Sequence, residues 1–151
     1  MNYRKARLLI IISSGLFLLT DQFLKWQAIH NWTKPNLIFP YFGWQVFLNK
    51  NAAFGLPIAN GLVIALTIPI ALLIGYVFFQ ELKKEYFSPI LLLAWSLLLA
   101  GGISNLIDRI FYGQVIVYFL IGTAIINIGD IMIATGLGLF LLSLRAKRGA
   151  F

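Results

Sequence analysis

Four stretches of this chain are long and apolar enough to cross a bilayer, and no other feature restricts its fold as much. They lie at about 8–24, 61–79, 89–107 and 127–144. Inside hydrocarbon every backbone N–H and C=O must be paired within the protein, which leaves helices or closed barrels. Runs of roughly 20 apolar residues have the length of helices rather than of barrel strands. The expected fold is therefore an all-α membrane protein, a single polytopic domain over 1–151 with four transmembrane helices. Outer segments are expected at 25–60 and 108–126, with a small extracytoplasmic β-like part. With 60% hydrophobic residues and 11% charged, the composition agrees. The first run could be a cleaved secretory signal, but no small-x-small site follows it and three further runs come later, so it is read as a span.

A net charge of +7 would point to nucleic acid in a soluble protein. Here the basic residues flank apolar runs, where they set topology, so no nucleic-acid partner is expected. Arg4, Lys5, Arg7, Lys83, Lys84, Arg145, Lys147 and Arg148 fall on one side, against Lys25, Lys34, Lys50 and Arg109 on the other. Positive-inside counting then puts both termini in the cytoplasm. The absence of cysteine removes disulfides, thiolate catalysis and Cys-ligated metals. A single histidine, His30, leaves little for a metal site or a Ser-His-Asp triad, so neither metal nor cofactor is expected. A small transporter would need polar groups near the midplane, where these runs carry almost none.

Several local signals refine the elements. Ser88-Pro89 reads as an N-cap followed by a first-turn proline. Pro69 is expected to kink the second span. Trp44 to Leu48 has strand composition and leads into the turn-prone Asn49-Lys50-Asn51, so a short sheet or hairpin is expected there. The aromatics around it, Trp26, Trp32, Phe39, Tyr41, Phe42 and Phe47, read as an interfacial belt. Ala100, Gly101, Gly102 and Ser104 are small enough to admit a close helix neighbour.

Only five acidic residues occur, and three of them, Asp21, Asp108 and Asp130, fall at one expected membrane surface. An ionisable side chain at such a depth is a functional-site hypothesis. Asp21 and Lys25 are four apart and can pair on one helix face. Asn127 and Asp130 have the spacing of a capping box at the start of the fourth helix. Capping does not account for Asp108, which lies at a helix C-terminus where the dipole disfavours an anion, and Arg109 is its expected partner. Two carboxyl groups sharing a proton can activate water for peptide hydrolysis, so aspartic peptidase chemistry is available.

Four blocks in order, D-x-x-x-K at Asp21/Lys25, N-x-x-A-A-F from Asn49 to Phe54, G-G-x-x-N-x-x-D-R from Gly101 to Arg109, and N-x-x-D at Asn127/Asp130, make the chain resemble the lipoprotein signal peptidases (signal peptidase II). That resemblance implies a monomeric, multi-pass aspartic endopeptidase of the bacterial inner membrane, surrounded by membrane lipids, with its active site at the extracytoplasmic face. It removes signal peptides from diacylglyceryl-modified prolipoproteins. It implies Asp130 as one of two catalytic aspartates, and Asn49, Asn51, Asn105, Asp108, Arg109, Asn127 and Gly129 as supporting or substrate-binding residues. Asp21 and Lys25 are then structural. The family's other catalytic aspartate lies in a V-x-D-[FY]-like block, where this chain has Val115-Ile116-Val117-Tyr118-Phe119. Val117 thus occupies the place of the expected partner, and no acid lies between Asp108 and Asp130 to restore it. Impaired catalysis is expected. Three accounts stand side by side: an inactivated peptidase, a homologue that binds lipoproteins without cutting them, and a site in which Asp108 takes the missing role.

Overall fold

The computed structural model describes residues 3–32, 34–52 and 56–148. Eight elements follow in the order α1 (Tyr3–Asn31), β1 (Asn36–Phe39), β2 (Phe42–Asn49), α2 (Asn60–Lys83), α3 (Pro89–Tyr112), β3 (Val115–Ile121), β4 (Ala124–Ile126) and α4 (Ile128–Arg148). All four helices contain windows long and apolar enough to span a membrane. Their outward surface is greasy, as with Leu66, Leu72, Leu73 and Leu141. A bundle in lipid gains nothing by hiding such side chains from its solvent.

Helix α3 is the centre, packing against α1, α2 and α4, with its longest contact along α4. Glycines explain that contact. A Cβ on Gly101 would lie 2.5 Å from the carbonyl oxygen of Gly129, and one on Gly136 would lie 2.8 Å from that of Ala94. The two backbones therefore approach to a distance that only glycine allows, as the small-residue signal predicts. Gly102 does not share in this, since a Cβ there would meet nothing within 4 Å. The small Ser104 is also no spacer: it is fully buried and hydrogen-bonded, as described below. On the opposite side of α3 the hydroxyls of Ser14 and Ser96 pair at 2.8 Å, tying α1 to it.

Helix ends follow local rules. The Ser88 hydroxyl accepts from the N–H of Leu91, Pro89 opens α3, and Gly113 closes it in the left-handed region at φ 71. Helix α2 continues through Pro69. Helix α1 runs on past the apolar stretch to Asn31, which makes the first part of the expected outer segment helical. At the far end from the sheet, the Arg7 guanidinium stacks 4.8 Å over the Phe87 ring and donates to the Lys84 carbonyl, clasping the α2–α3 turn.

The β part is larger than the sequence predicts. A four-stranded antiparallel sheet of order β1-β2-β3-β4 caps one end of the bundle. The turn-prone residues 49–51 do not reverse the chain into a hairpin. Instead β2 turns back on β1 across Pro40-Tyr41, and its other edge pairs with β3, Asn49 opposite Val115 and Phe47 opposite Val117. The aromatics of this region are partly a packed layer, with Trp32 against Trp44 at 5.2 Å and Trp44 stacked on Tyr118 at 6.2 Å. Ala28, Ile116 and Tyr118 form the buried seam between the sheet and α1.

Candidate active site

Where α1, α3, β3 and α4 meet under the sheet, the three aspartates are drawn into one network. At its centre is Lys25, 1% exposed, whose ammonium lies 2.8 Å from Asp21 Oδ2 and 2.8 Å from Asp108 Oδ2. It also donates to Ser104 Oγ at 3.0 Å and Asn105 Oδ1 at 3.1 Å. The expected i,i+4 pair is therefore present, but Asp108 does not pair with Arg109. Neighbours in a helix point about 100° apart, so the guanidinium next in sequence faces elsewhere. Arg109 donates to Asn60 Oδ1 at 3.1 Å and to the Asn51 carbonyl at 2.7 Å, tying the β2–α2 segment to the end of α3. Asp108 instead takes Lys25, the Ile116 N–H at 3.1 Å and Gln22 at 3.3 Å, and is fully buried.

Asp21 is also fully buried. Its Oδ1 accepts from Tyr118 Oη at 2.8 Å and the Ile128 N–H at 2.9 Å, and its Oδ2 accepts from Ser104 Oγ at 2.5 Å. Burial and the adjacent Asp21 carboxylate push the Tyr118 phenol well above its ordinary value, so it remains a donor. Asp21 thereby joins α1 to β3 and to the first turn of α4.

Asp130 is held differently. Its Oδ2 accepts from the Asn127 N–H at 3.2 Å while its own N–H donates to Asn127 Oδ1 at 2.7 Å, which realises the capping box. Its Oδ1 accepts from Asn105 Nδ2 at 2.8 Å. The orientation of Asn105 is forced: its oxygen faces two donors, Lys25 Nζ and Asn127 Nδ2 (3.0 Å), so its nitrogen turns to Asp130. Asn127 Nδ2 also donates to the Ile116 carbonyl at 3.1 Å, linking β3 to the same cap. A Cβ on Gly129 would lie 3.1 Å from Asn127 Oδ1 and Asp21 Oδ2 and 3.2 Å from Asn105 Oδ1, which accounts for glycine there. Of the three aspartates only Asp130 is partly exposed.

Val117 is 3% exposed and sits between Ile116 and Tyr118, both bound into the network. Strand alternation turns its side chain to the face opposite theirs. Asn49 is not bonded to the aspartate cluster; its Oδ1 accepts from the Asn51 N–H at 3.0 Å in an Asx turn. Four members of the network are absent from the sequence expectations as polar contributors: Gln22, Ser104, Asn60 and Tyr118. Gln22 and Ser104 each adjoin a motif residue, and that adjacency was the available signal. Among the described residues no three His, Cys, Asp or Glu side chains form a group able to hold a metal.

Fold and site together define a multi-pass membrane protein that keeps one partly exposed carboxylate beside two buried ones that share a single lysine. Residues 13–145 match the model of the Signal peptidase (SPase) II family, so the chain belongs to that family of membrane peptidases. The lipoprotein signal peptidase of Halalkalibacterium halodurans is 31% identical over 145 residues, spanning 89% of this chain and 91% of its own. That of Helicobacter pylori is 30% identical, spanning 92% and 88%. That of Syntrophus aciditrophicus is 33% identical over 119 residues, spanning 75% and 74%. Two solved bacterial membrane enzymes share the fold. One superposes with TM-score 0.82 at 23% identity over 97% of this chain and 91% of that one. The other gives 0.75 at 25% identity over 94% of each.

Proposed function

We propose that this chain is a peptidase of the aspartic type that takes diacylglyceryl-modified prolipoproteins from the membrane, with Asp130 as its working carboxylate. The observation that carries this reading is the contrast in access: Asp21 and Asp108 are sealed around Lys25, whereas Asp130 is partly exposed at a helix N-terminus. The buried pair then acts as scaffold, and Asn105 and Asn127 aim the exposed carboxylate. Val117, at the place of a second acid, leaves general acid-base work to one group, so binding outlasts cleavage. That same residue favours a second reading, a lipoprotein-binding homologue without turnover. Saturable photo-crosslinking of a diacylglyceryl prolipopeptide to the purified chain in nanodiscs tests both. Displaceable labelling with cleavage slow or undetectable by mass spectrometry is expected. Labelling that unlabelled lipopeptide cannot displace would sink both.

The site faces the extracytoplasmic side, with both termini in the cytoplasm. Lys25 and Arg109, counted above among the outer basic residues, are engaged inside the network, so Lys34 and Lys50 are the outer loop cations set against the eight of the other side. Single cysteines introduced at Lys34 and Lys83 should react with an impermeant reagent from opposite sides of the membrane. Reaction of both from one side would invalidate the topology.

A further inference from the structure

Strand β4 carries a free backbone edge that leads straight into the residues of the site. One side pairs with β3, Phe119 opposite Ile126, Leu120 opposite Ile125 and Ile121 opposite Ala124, and no other described strand pairs with its far side. The connecting turn is Gly122-Thr123, with Gly122 at φ 63. In a hairpin closed by two residues, the flanking pair Ile121/Ala124 exchanges both hydrogen bonds. The next pair, Leu120/Ile125, is then the non-bonded one, so the N–H and C=O of Ile125 point to the open side. Ala124 is exposed and Ile125 and Ile126 are half-buried, and among the described residues no backbone group bonds to Ile125 from this side. The residue after β4 is Asn127, which holds Asp130 through its N–H and its side chain. The sheet's other open edge, β1, lies three strand spacings away, about 14 Å, and is too remote to serve Asp130.

A peptide bond can be attacked only where its carbonyl is exposed, so a substrate whose signal segment is a membrane helix must be extended at the scissile bond. Unwinding a helix frees backbone donors and acceptors, and those that enter a site shielded from water are penalised unless the protein pairs them. Something must pair them. Resting on the peptidase reading above, we propose that the open edge of β4 takes the cleavage segment of the lipoprotein substrate as a fifth strand, bonded to the N–H and C=O of Ile125. Main-chain pairing of this kind secures a substrate whatever its side chains, while alternate residues project to the two faces of the sheet. The added strand lies about 5 Å from β4 and carries the scissile carbonyl toward the first turn of α4.

The test is a set of diacylglyceryl prolipopeptides, each N-methylated at one successive amide around the cleavage position, competing for photo-crosslinking to the full chain in nanodiscs. Because Ile125 alone offers an outward N–H and C=O, strand pairing predicts a single sensitive amide, which loses about tenfold in affinity on N-methylation while the amides on either side lose nearly none. In the Ile125→Pro variant the ring replaces an N–H that takes no part in the β3 ladder and obstructs the open edge, so the unmethylated peptide should bind about tenfold more weakly and the sensitive position should disappear. Displaceable binding with no single sensitive amide, or the same sensitive amide in Ile125→Pro, would overturn the fifth strand and leave the peptidase reading standing. An unmethylated peptide that fails to bind displaceably would overturn the peptidase reading and this proposal with it.

Discussion

Replacing Lys25 by methionine should cost about 3–5 kcal/mol of stability, the range for stripping a buried charge of its partner. Methionine fills nearly the same volume, so the loss is electrostatic rather than a cavity. The change leaves Asp21 and Asp108, both fully buried, facing each other without the ammonium that sits 2.8 Å from each. Their remaining donors, Tyr118, Ile128, Ser104, Ile116 and Gln22, are all neutral and carry no compensating charge. Asn105 also loses one of the two donors that fix its orientation toward Asp130. Thermal unfolding in detergent measures the effect. Because the penalty comes from two like charges sharing one cation, the double change Lys25→Met with Asp108→Asn should be less damaging than Lys25→Met alone, a non-additivity expected of groups in one network. A Lys25→Met protein within about 1 kcal/mol of the parent would show that the network does not carry this load.

The largest effect on activity is expected from Val117→Asp. A positioned proton donor or acceptor contributes typically about 10²–10⁴-fold to a rate, and members of a cooperating pair are not additive. Supplying the second carboxyl should therefore raise cleavage of a diacylglyceryl prolipopeptide by about 10²-fold or more over the parent chain. The same change places a polar group where a 3% exposed valine was packed, and some loss of thermal stability should accompany the gain. A gel-shift assay with parent and variant side by side, with crosslinking as the control for binding, decides the matter. If Val117→Asp binds substrate and still does not cut it, position 117 is not the partner of Asp130. Asp108 would be a poor replacement, because Lys25, Ile116 and Gln22 already occupy its oxygens and it has no exposed surface.

Much of this architecture was legible in one dimension because the physics behind it is local. The length of an apolar run decides whether a segment can cross a bilayer, and four such runs gave four helices. Ser88 and Pro89 start α3 by contacts within a single turn, and Asn127 with Asp130 closes its reciprocal cap over three residues. Gly101 in contact with Gly129, and Gly136 with Ala94, belong to the same class, since a small residue announces a close neighbour without saying which. The sheet was less visible. Val115 to Leu120 is apolar nearly without a break, and all but Phe119 are buried, so the strand lacks the alternation that marks a half-exposed one.

Which charge meets which was decided only in three dimensions. Asp108 and Arg109 adjoin in the sequence and diverge in the helix, whereas Lys25 reaches Asp108 because α1 packs on α3. Ser104 and Tyr118 become ligands of Asp21 for the same reason, being brought to it from other elements. The sequence by itself determined where carboxylates stand along each helix. Tertiary packing decided that two of them are buried about one lysine and the third is left partly exposed, because burial and pairing depend on the faces that helices present to one another.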